Sequence, residues 1–215
     1  MKQLLKYLMS FLLLCVMMSC NNSEKKPSDK TSSQNKYSEL QKFTIDTSGL
    51  SILWTAYKFT SKLGVSGTFD TYTLDTKNTY GTVEEILNKA KLSITTASVN
   101  SNNAIRDFKL DTYFFKAFNT SEIIGTITKA KENEGLIDLK MNRRSKKIPF
   151  TYTIEIDSIR LFTNLNLNHW KGEDALKTLN KECYELHKGT DGESKLWPDV
   201  DVVIKIPVYK KPLIN

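Results

Sequence analysis

From Phe43 onward the apolar side chains fall on alternate positions, the pattern of strands that bury one face. Ile137, Leu139 and Met141 alternate with Asp138 and Lys140, and Phe150, Tyr152, Ile154 and Ile156 alternate with Thr151, Thr153, Glu155 and Asp157. Between these runs, Arg143-Arg144-Ser145-Lys146-Lys147 reads as the solvated tip of a hairpin. Ile159, Leu161, Leu165 and Leu167 continue the period, and Val202, Ile204, Ile206 and Val208 end it. Further strands are expected over residues 51–60, 65–75, 91–99 and 121–131.

Two segments change to a helical period. Thr82, with Glu85 three positions on and Ile86, Leu87 and Ala90 behind it, has the arrangement of a capping box. From Glu173 to about His187, Leu176, Leu179, Cys183 and Leu186 form a 3-4-3 stripe, with Gly189 placed to cap the C-terminus. About eight antiparallel strands, few helices and no regular strand–helix alternation predict a mainly β domain, closed or nearly closed into a barrel; a two-sheet sandwich is the alternative. An eight-stranded barrel has an interior that side chains can fill or that can hold one elongated ligand.

Ahead of the strands the composition is different. Lys2 and Lys6 sit in a basic start, Leu8 to Met18 is apolar but too short to span a bilayer, and Ser19-Cys20 ends the run. Met17-Met18-Ser19-Cys20 resembles the bacterial lipobox, which implies diacylglyceryl transfer to Cys20 and cleavage just before it; an ordinary secretory leader with an incidental Cys20 is the other reading. Residues 21–38 contain one aromatic and no aliphatic side chain, so they cannot bury enough surface to fold. The expected organisation is a signal peptide over 1–19, a lipidated cysteine and disordered tether over 20–38, and one folded domain over 39–215. Acyl chains, at about 0.8 kcal/mol per buried methylene, would hold that domain at a membrane without a transmembrane helix. Asn21 and Asn22, with no dense acidic cluster behind them, resemble the sorting pattern of outer-membrane lipoproteins that face the periplasm of a bacterial envelope.

The formal net charge of +7 falls to +5 once Lys2 and Lys6 leave with the leader, and the remainder is spread along the chain. Such a modest, dispersed excess on an exported chain argues against a nucleic-acid partner. Cys15 leaves with the leader and Cys20 is to be acylated, so Cys183 is the sole remaining thiol and no internal disulfide can form. Burial is the expected state of a lone thiol in an exported domain.

The stretch Trp54-Thr-Ala-Tyr-Lys-Phe-Thr-Ser-Lys-Leu-Gly-Val-Ser-Gly-Thr-Phe69 resembles the opening of the YceI-like family. Arg106-Asp107-Phe108-Lys109-Leu110-Asp111-Thr112-Tyr113-Phe114-Phe115 is similar to the family's Arg-Asp-x-His-Leu segment ahead of paired phenylalanines, with Lys109 where histidine is common. Gly125 to Ile127 and the hairpin from Leu139 to Phe150 match in position, and the resemblance extends over roughly residues 43–209. It implies a single lipocalin-like, eight-stranded antiparallel barrel with one or two short helices, located in the periplasm, whose apolar cavity holds a polyisoprenoid or other long-chain lipid. The tail, with Ala175-Leu176, Leu179-Asn180, Cys183, His187 and Gly192 to Val200, resembles a lipoprotein branch found in Bacteroidetes.

Within that frame, Trp54, Phe59, Phe69, Phe114, Phe115 and Phe118 either line a lipid tunnel or fill the core. Inward-facing small residues such as Ala56 and Gly125 would leave room for a chain. Arg106 and Asp107 either pin a loop or place Arg106 or Lys109 at the cavity mouth, facing a phosphate or carboxylate head. Cys183 and His187, four apart, would share a helix face, either as a thiol–base pair or metal site completed by His169, Asp191, Glu193 or Asp199, or as a buried thiol beside a helix-terminal imidazole. No Ser-His-Asp order, phosphate-binding glycine loop or paired metal-ligand motif is present.

The reading that joins these features is a non-enzymatic, membrane-tethered carrier whose bound group is an isoprenoid or fatty-acyl lipid, with the oligomeric state left open. A thiol enzyme or metal site at Cys183 and His187, and an interaction module with a filled barrel, are the alternatives.

Overall fold

The computed structural model of the protein describes residues 41–210, so the expected leader over 1–19, Cys20 and the expected tether over 21–38 lie outside the described residues. The chain is mainly β, and the described strands are β1 (Phe43–Ile45), β2 (Ser51–Lys58), β3 (Leu63–Phe69), β4 (Tyr72–Asp75), β5 (Tyr80–Gly81), β6 (Lys91–Thr95), β7 (Val99–Asn100), β8 (Glu122–Lys131), β9 (Glu134–Met141), β10 (Arg144–Ile154), β11 (Ser158–Asn166) and β12 (Leu196–Lys210). They form one antiparallel sheet in the order β4-β6-β8-β9-β10-β11-β12-β2-β3-β7, with β1 joined to β12 and β5.

Twelve strands replace the eight expected, for two reasons. The run expected over 65–75 is bent at Asp70-Thr71 into β3, which pairs with β2, and β4, which pairs with β6. The two sides of the curled sheet are therefore linked through the chain, since β3, next to the end at β7, runs on into β4 at the other end without pairing with it. The corner is held where Asp70 N–H donates to Ser98 O and Thr95 N–H to Thr71 O, both at 3.0 Å. The other surplus strands, β1, β5 and β7, have three, two and two residues and only edge the rims.

Sheet curvature is reinforced by two-residue hairpins whose residues all take positive φ: Glu132-Asn133 between β8 and β9, and Asn142-Arg143 between β9 and β10. That turn geometry matches the right-handed twist of flanking strands. The basic tip is shorter than expected, since Arg144 already pairs with Met141 and Lys147 with Asp138.

Helix α1 (Val83–Leu87) closes one end of the barrel, burying Val83, Ile86 and Leu87. Its capping box is present: Thr82 Oγ1 accepts from Glu85 N–H at 3.3 Å, and Glu85 Oε2 accepts from Thr82 N–H at 2.9 Å. At the other end lies a segment expected as loop, which is instead α2 (Ala104–Lys109) running into a π-helical stretch, Leu110–Phe115. Asn103 starts it, its Oδ1 accepting from Arg106 N–H at 3.0 Å. The helix expected from Glu173 to His187 is shorter: α3 spans Glu173–Glu182, Cys183 leaves helical geometry at φ −120° and ψ 23°, and a 3-10 turn covers Tyr184–Leu186. Gly189 does not cap it; its N–H donates to Glu193 O, beside the isolated bridge between Lys188 and Ser194.

Inside the barrel the alternate residues of each stave form one core. Trp170 is fully buried, its Nε1–H donating to Leu139 O at 3.0 Å and its own carbonyl accepting from Asn142 Nδ2 at 2.8 Å. No helix among the described residues is long and apolar enough to cross a membrane.

Candidate ligand-binding site

A curled antiparallel sheet of this size could enclose a solid core, and native interiors hold few voids larger than a water molecule. This one is not solid. Three consecutive cavities follow its axis, of about 110 Å³ at the α1 end, about 130 Å³ in the middle and about 400 Å³ at the α2 and α3 end. Trp54 stands in the wall of all three, its indole N–H donating to Thr68 O at 3.1 Å. Val202 and Leu165 are common to the first two, and Ala56, Leu110, Leu179 and Leu196 to the second and third. The walls of the first two are almost wholly apolar side chains, and the third opens at the surface, where its lining residues Ile105 and Leu186 are 72% and 58% exposed.

The small residues are placed where the space is. Gly125 lines the innermost cavity and Ala56 the junction between the middle and the mouth. Phe69 borders the inner two, and Phe114, Phe115 and Phe118 face the middle one. Their rings form a packed chain, Phe69–Phe115 at 6.1 Å, Phe114–Phe115 at 5.1 Å and Phe114–Phe118 at 5.4 Å between centroids. Phe59 is elsewhere: it follows β2 at φ 63°, its carbonyl accepting from Trp197 Nε1 at 2.7 Å, and it borders none of these three cavities.

Polar side chains gather at the mouth. Arg106 lines it, with Nε 2.7 Å from Ser101 Oγ and Nη2 2.7 Å from Ser101 O, while Asp107 Oδ1 accepts from Ser101 N–H at 2.9 Å. The pair thus pins the segment before α2 and at the same time lines the opening. Lys58, at the end of β2, donates to Leu186 O at 3.0 Å and lies 4.4 Å over the Phe59 ring. Lys109 completes the group, its charge acting on the Cys183 thiol.

Cys183 and His187 both line the mouth, but the broken helix keeps them off a common helical face; their direct link is between His187 N–H and Cys183 O at 3.1 Å. Burial pushes the thiol's pKa up, partly offset by Lys109. Burial, with Lys58 and Lys109 beside it, pushes that of His187 down to about 4. The ring's Nδ1 lies 3.0 Å from Asn180 Oδ1, and Asn180 is oriented by its own Nδ2 donating to Ser194 O at 3.3 Å. That network assigns the proton to Nδ1. The neutral imidazole is therefore held by Asn180 and not by the neutral thiol.

The other residues considered for a metal are engaged apart from them. His169 is exposed against Trp170, Asp191 accepts from Thr60 Oγ1, and Asp199 pairs with Lys62 at 3.1 Å. Among the described residues no three His, Cys, Asp or Glu stand together as a metal site would need.

Fold and site together define a hollow antiparallel barrel with an apolar axis and a basic mouth. The chain belongs to the YceI-like domain family, whose pattern matches residues 43–208. No protein of curated function matches it in sequence. Among solved structures it is similar to a polyisoprenoid binding domain from Saccharophagus degradans implicated in plant cell wall breakdown, at 13% identity and a TM-score of 0.53, covering 79% of this chain and 98% of that one. It is also similar to BcnA of Burkholderia cenocepacia, at 10% identity and 0.51 over 77% and 99%, and to a YceI protein of Campylobacter jejuni, at 19% and 0.52 over 72% and 90%.

Proposed function

We propose that the protein is a carrier that holds one long apolar chain along the barrel axis, tail toward α1 and head at the mouth. The observation that carries this reading is the succession of cavities sharing Trp54, in an interior that close packing would otherwise fill. The mouth alone, at about 400 Å³, falls within the usual range of ligand pockets, about 300–1,000 Å³. Binding would come mainly from burial of the chain, at about 25 cal/mol per Å² before ordering costs. A polyisoprenoid or another long-chain lipid is the ligand class in view, supported by the polyisoprenoid-binding description of the Saccharophagus neighbour.

The role is binding rather than catalysis, in keeping with a thiol and an imidazole that are both neutral, the imidazole held by Asn180. We further propose that acylated Cys20 tethers the barrel to the envelope, at the periplasmic face of the outer membrane, through residues 21–38. Because Trp54 borders every compartment, its fluorescence is the direct probe. Titration with a prenol of several isoprene units is expected to give a saturable change that Trp54→Phe reduces, the remainder coming from Trp197 in the wall of the middle cavity, and a linear, unsaturable response would refute the carrier reading.

A further inference from the structure

The charge of the mouth carries information on the ligand's head that the apolar axis does not. Lys58, Arg106 and Lys109 line this cavity, and no carboxylate is in its wall. Tyr57, which also lines it, directs its hydroxyl to Asp201, and Glu182, next to Cys183, is exposed and outside the lining. Among the described residues none of the three cations is in an ion pair. Each keeps donors in hand: a lysine carries three, of which the Lys58 contact with Leu186 O uses one, and Arg106 has five N–H groups with contacts to Ser101 alone. Three like charges around one partly desolvated opening repel one another, and an anion placed among them relieves that repulsion and meets unused donors.

We propose that the mouth selects an anionic head, so that the cargo is a single-chain lipid ending in a carboxylate or phosphate rather than a neutral one. This rests on the carrier reading above and narrows it. The low pKa of His187 comes first from burial, and Lys58 and Lys109 add to it because they act on that ring within the same cavity. Charge-assisted hydrogen bonds are roughly twice as strong as neutral ones, so a preference of about tenfold or more for the anion over a neutral head of equal chain length is expected.

The test uses the full chain in lipid nanodiscs, offered palmitate, hexadecyl phosphate or hexadecanol at equal mole fraction, with native mass spectrometry counting the protein that carries each. The expected result is an excess of about tenfold for one or both anions, and which anion is taken identifies the head. Replacing both lysines, Lys58→Met with Lys109→Met, should bring the ratio of anion to alcohol near unity, while Lys109→Arg alone should keep it high. Equal uptake of all three by the unaltered protein overturns the head-group inference and leaves the carrier standing. Uptake of none overturns the carrier reading itself.

Discussion

Ala56 is where the axis can be blocked. It lies at the junction of the mouth with the middle cavity, so Ala56→Phe puts a ring across the path of an incoming chain. The middle cavity holds about 130 Å³ and the innermost about 110 Å³. Taking about 30 Å³ per methylene, near the share of one water in the liquid, each accommodates about four. At about 0.8 kcal/mol per buried methylene, losing the middle compartment alone removes about 3 kcal/mol, roughly a hundredfold in affinity. The discriminating assay is a series of n-alkyl ligands of increasing length. Each added methylene should strengthen binding to the unaltered protein by about fourfold, whereas Ala56→Phe should follow that slope only until the chain fills the mouth. Overpacking can itself destabilise by about 1–3 kcal/mol, so the variant's thermal unfolding is checked alongside. Identical slopes in both proteins would refute the threading of the chain past Ala56.

Further outcomes follow from the same geometry. The pKa of His187 is held near 4 in the fold against about 6.5 when unfolded, so as pH falls below about 6.5 the unfolded chain takes the proton first and stability is lost until about pH 4. The upper bound is about 3 kcal/mol, reduced to about 1–2 for a partly exposed ring; urea unfolding at pH 7 and pH 4 should show that extra loss in the unaltered protein and not in His187→Gln. Equal losses would remove His187 as the cause. Trp170→Ala empties a fully buried site and frees Leu139 O, with an expected cost of about 3–5 kcal/mol by urea titration; under about 1 kcal/mol would contradict the packing described. Thr82→Ala breaks the capping box for about 1 kcal/mol, and an unchanged midpoint would mean that the cap contributes nothing. Growth with an alkyne palmitate analogue should label the protein through Cys20, and a Cys20→Ser variant that still takes label would end the lipoprotein proposal.

The staves were legible because a barrel buries one face of every strand, and alternation records that directly. The corner at Asp70-Thr71 was not, since a strand that changes partners keeps its alternation: Val65 to Asp75 reads as one run though it pairs with β2 and then with β6. The helical cover over the mouth differs from the loop expected there, because the charged pair Arg106-Asp107 gives its start no apolar stripe. The spacing of Leu110, Phe114, Phe115 and Phe118 already held a helical period, and Asn103 is a ready N-cap. The second helix was extended too far because its stripe continues through Cys183 to Leu186, whereas the chain turns at Cys183 and leaves Leu186 exposed.

At the site, type and register pointed Trp54, Ala56, Phe69, Phe114, Phe115 and Phe118 inward without separating a filled core from a tunnel wall; all six border the cavities. Phe59 could not be placed, because positive φ takes it out of the strand's alternation. Lys58 is a site residue beyond those expected, and Ile52, Trp54 and Ala56 set an inward register that brings this lysine to the inner face two residues on. A charge on the buried side of a strand was the available signal. The shared cavity of Lys58, Arg106, Lys109 and His187 required three separate elements to be assembled, which no local pattern records.

The central claim is that the axis holds a chain, and the most direct measurement is mass spectrometry of an organic extract from residues 39–215, produced by secretion and purified without detergent. A long-chain lipid recovered at about one per protein is the predicted result, and one with a carboxylate or phosphate head would bear out the mouth's selectivity as well. A clean extract that stays clean after the protein has been offered envelope lipids would contradict the account.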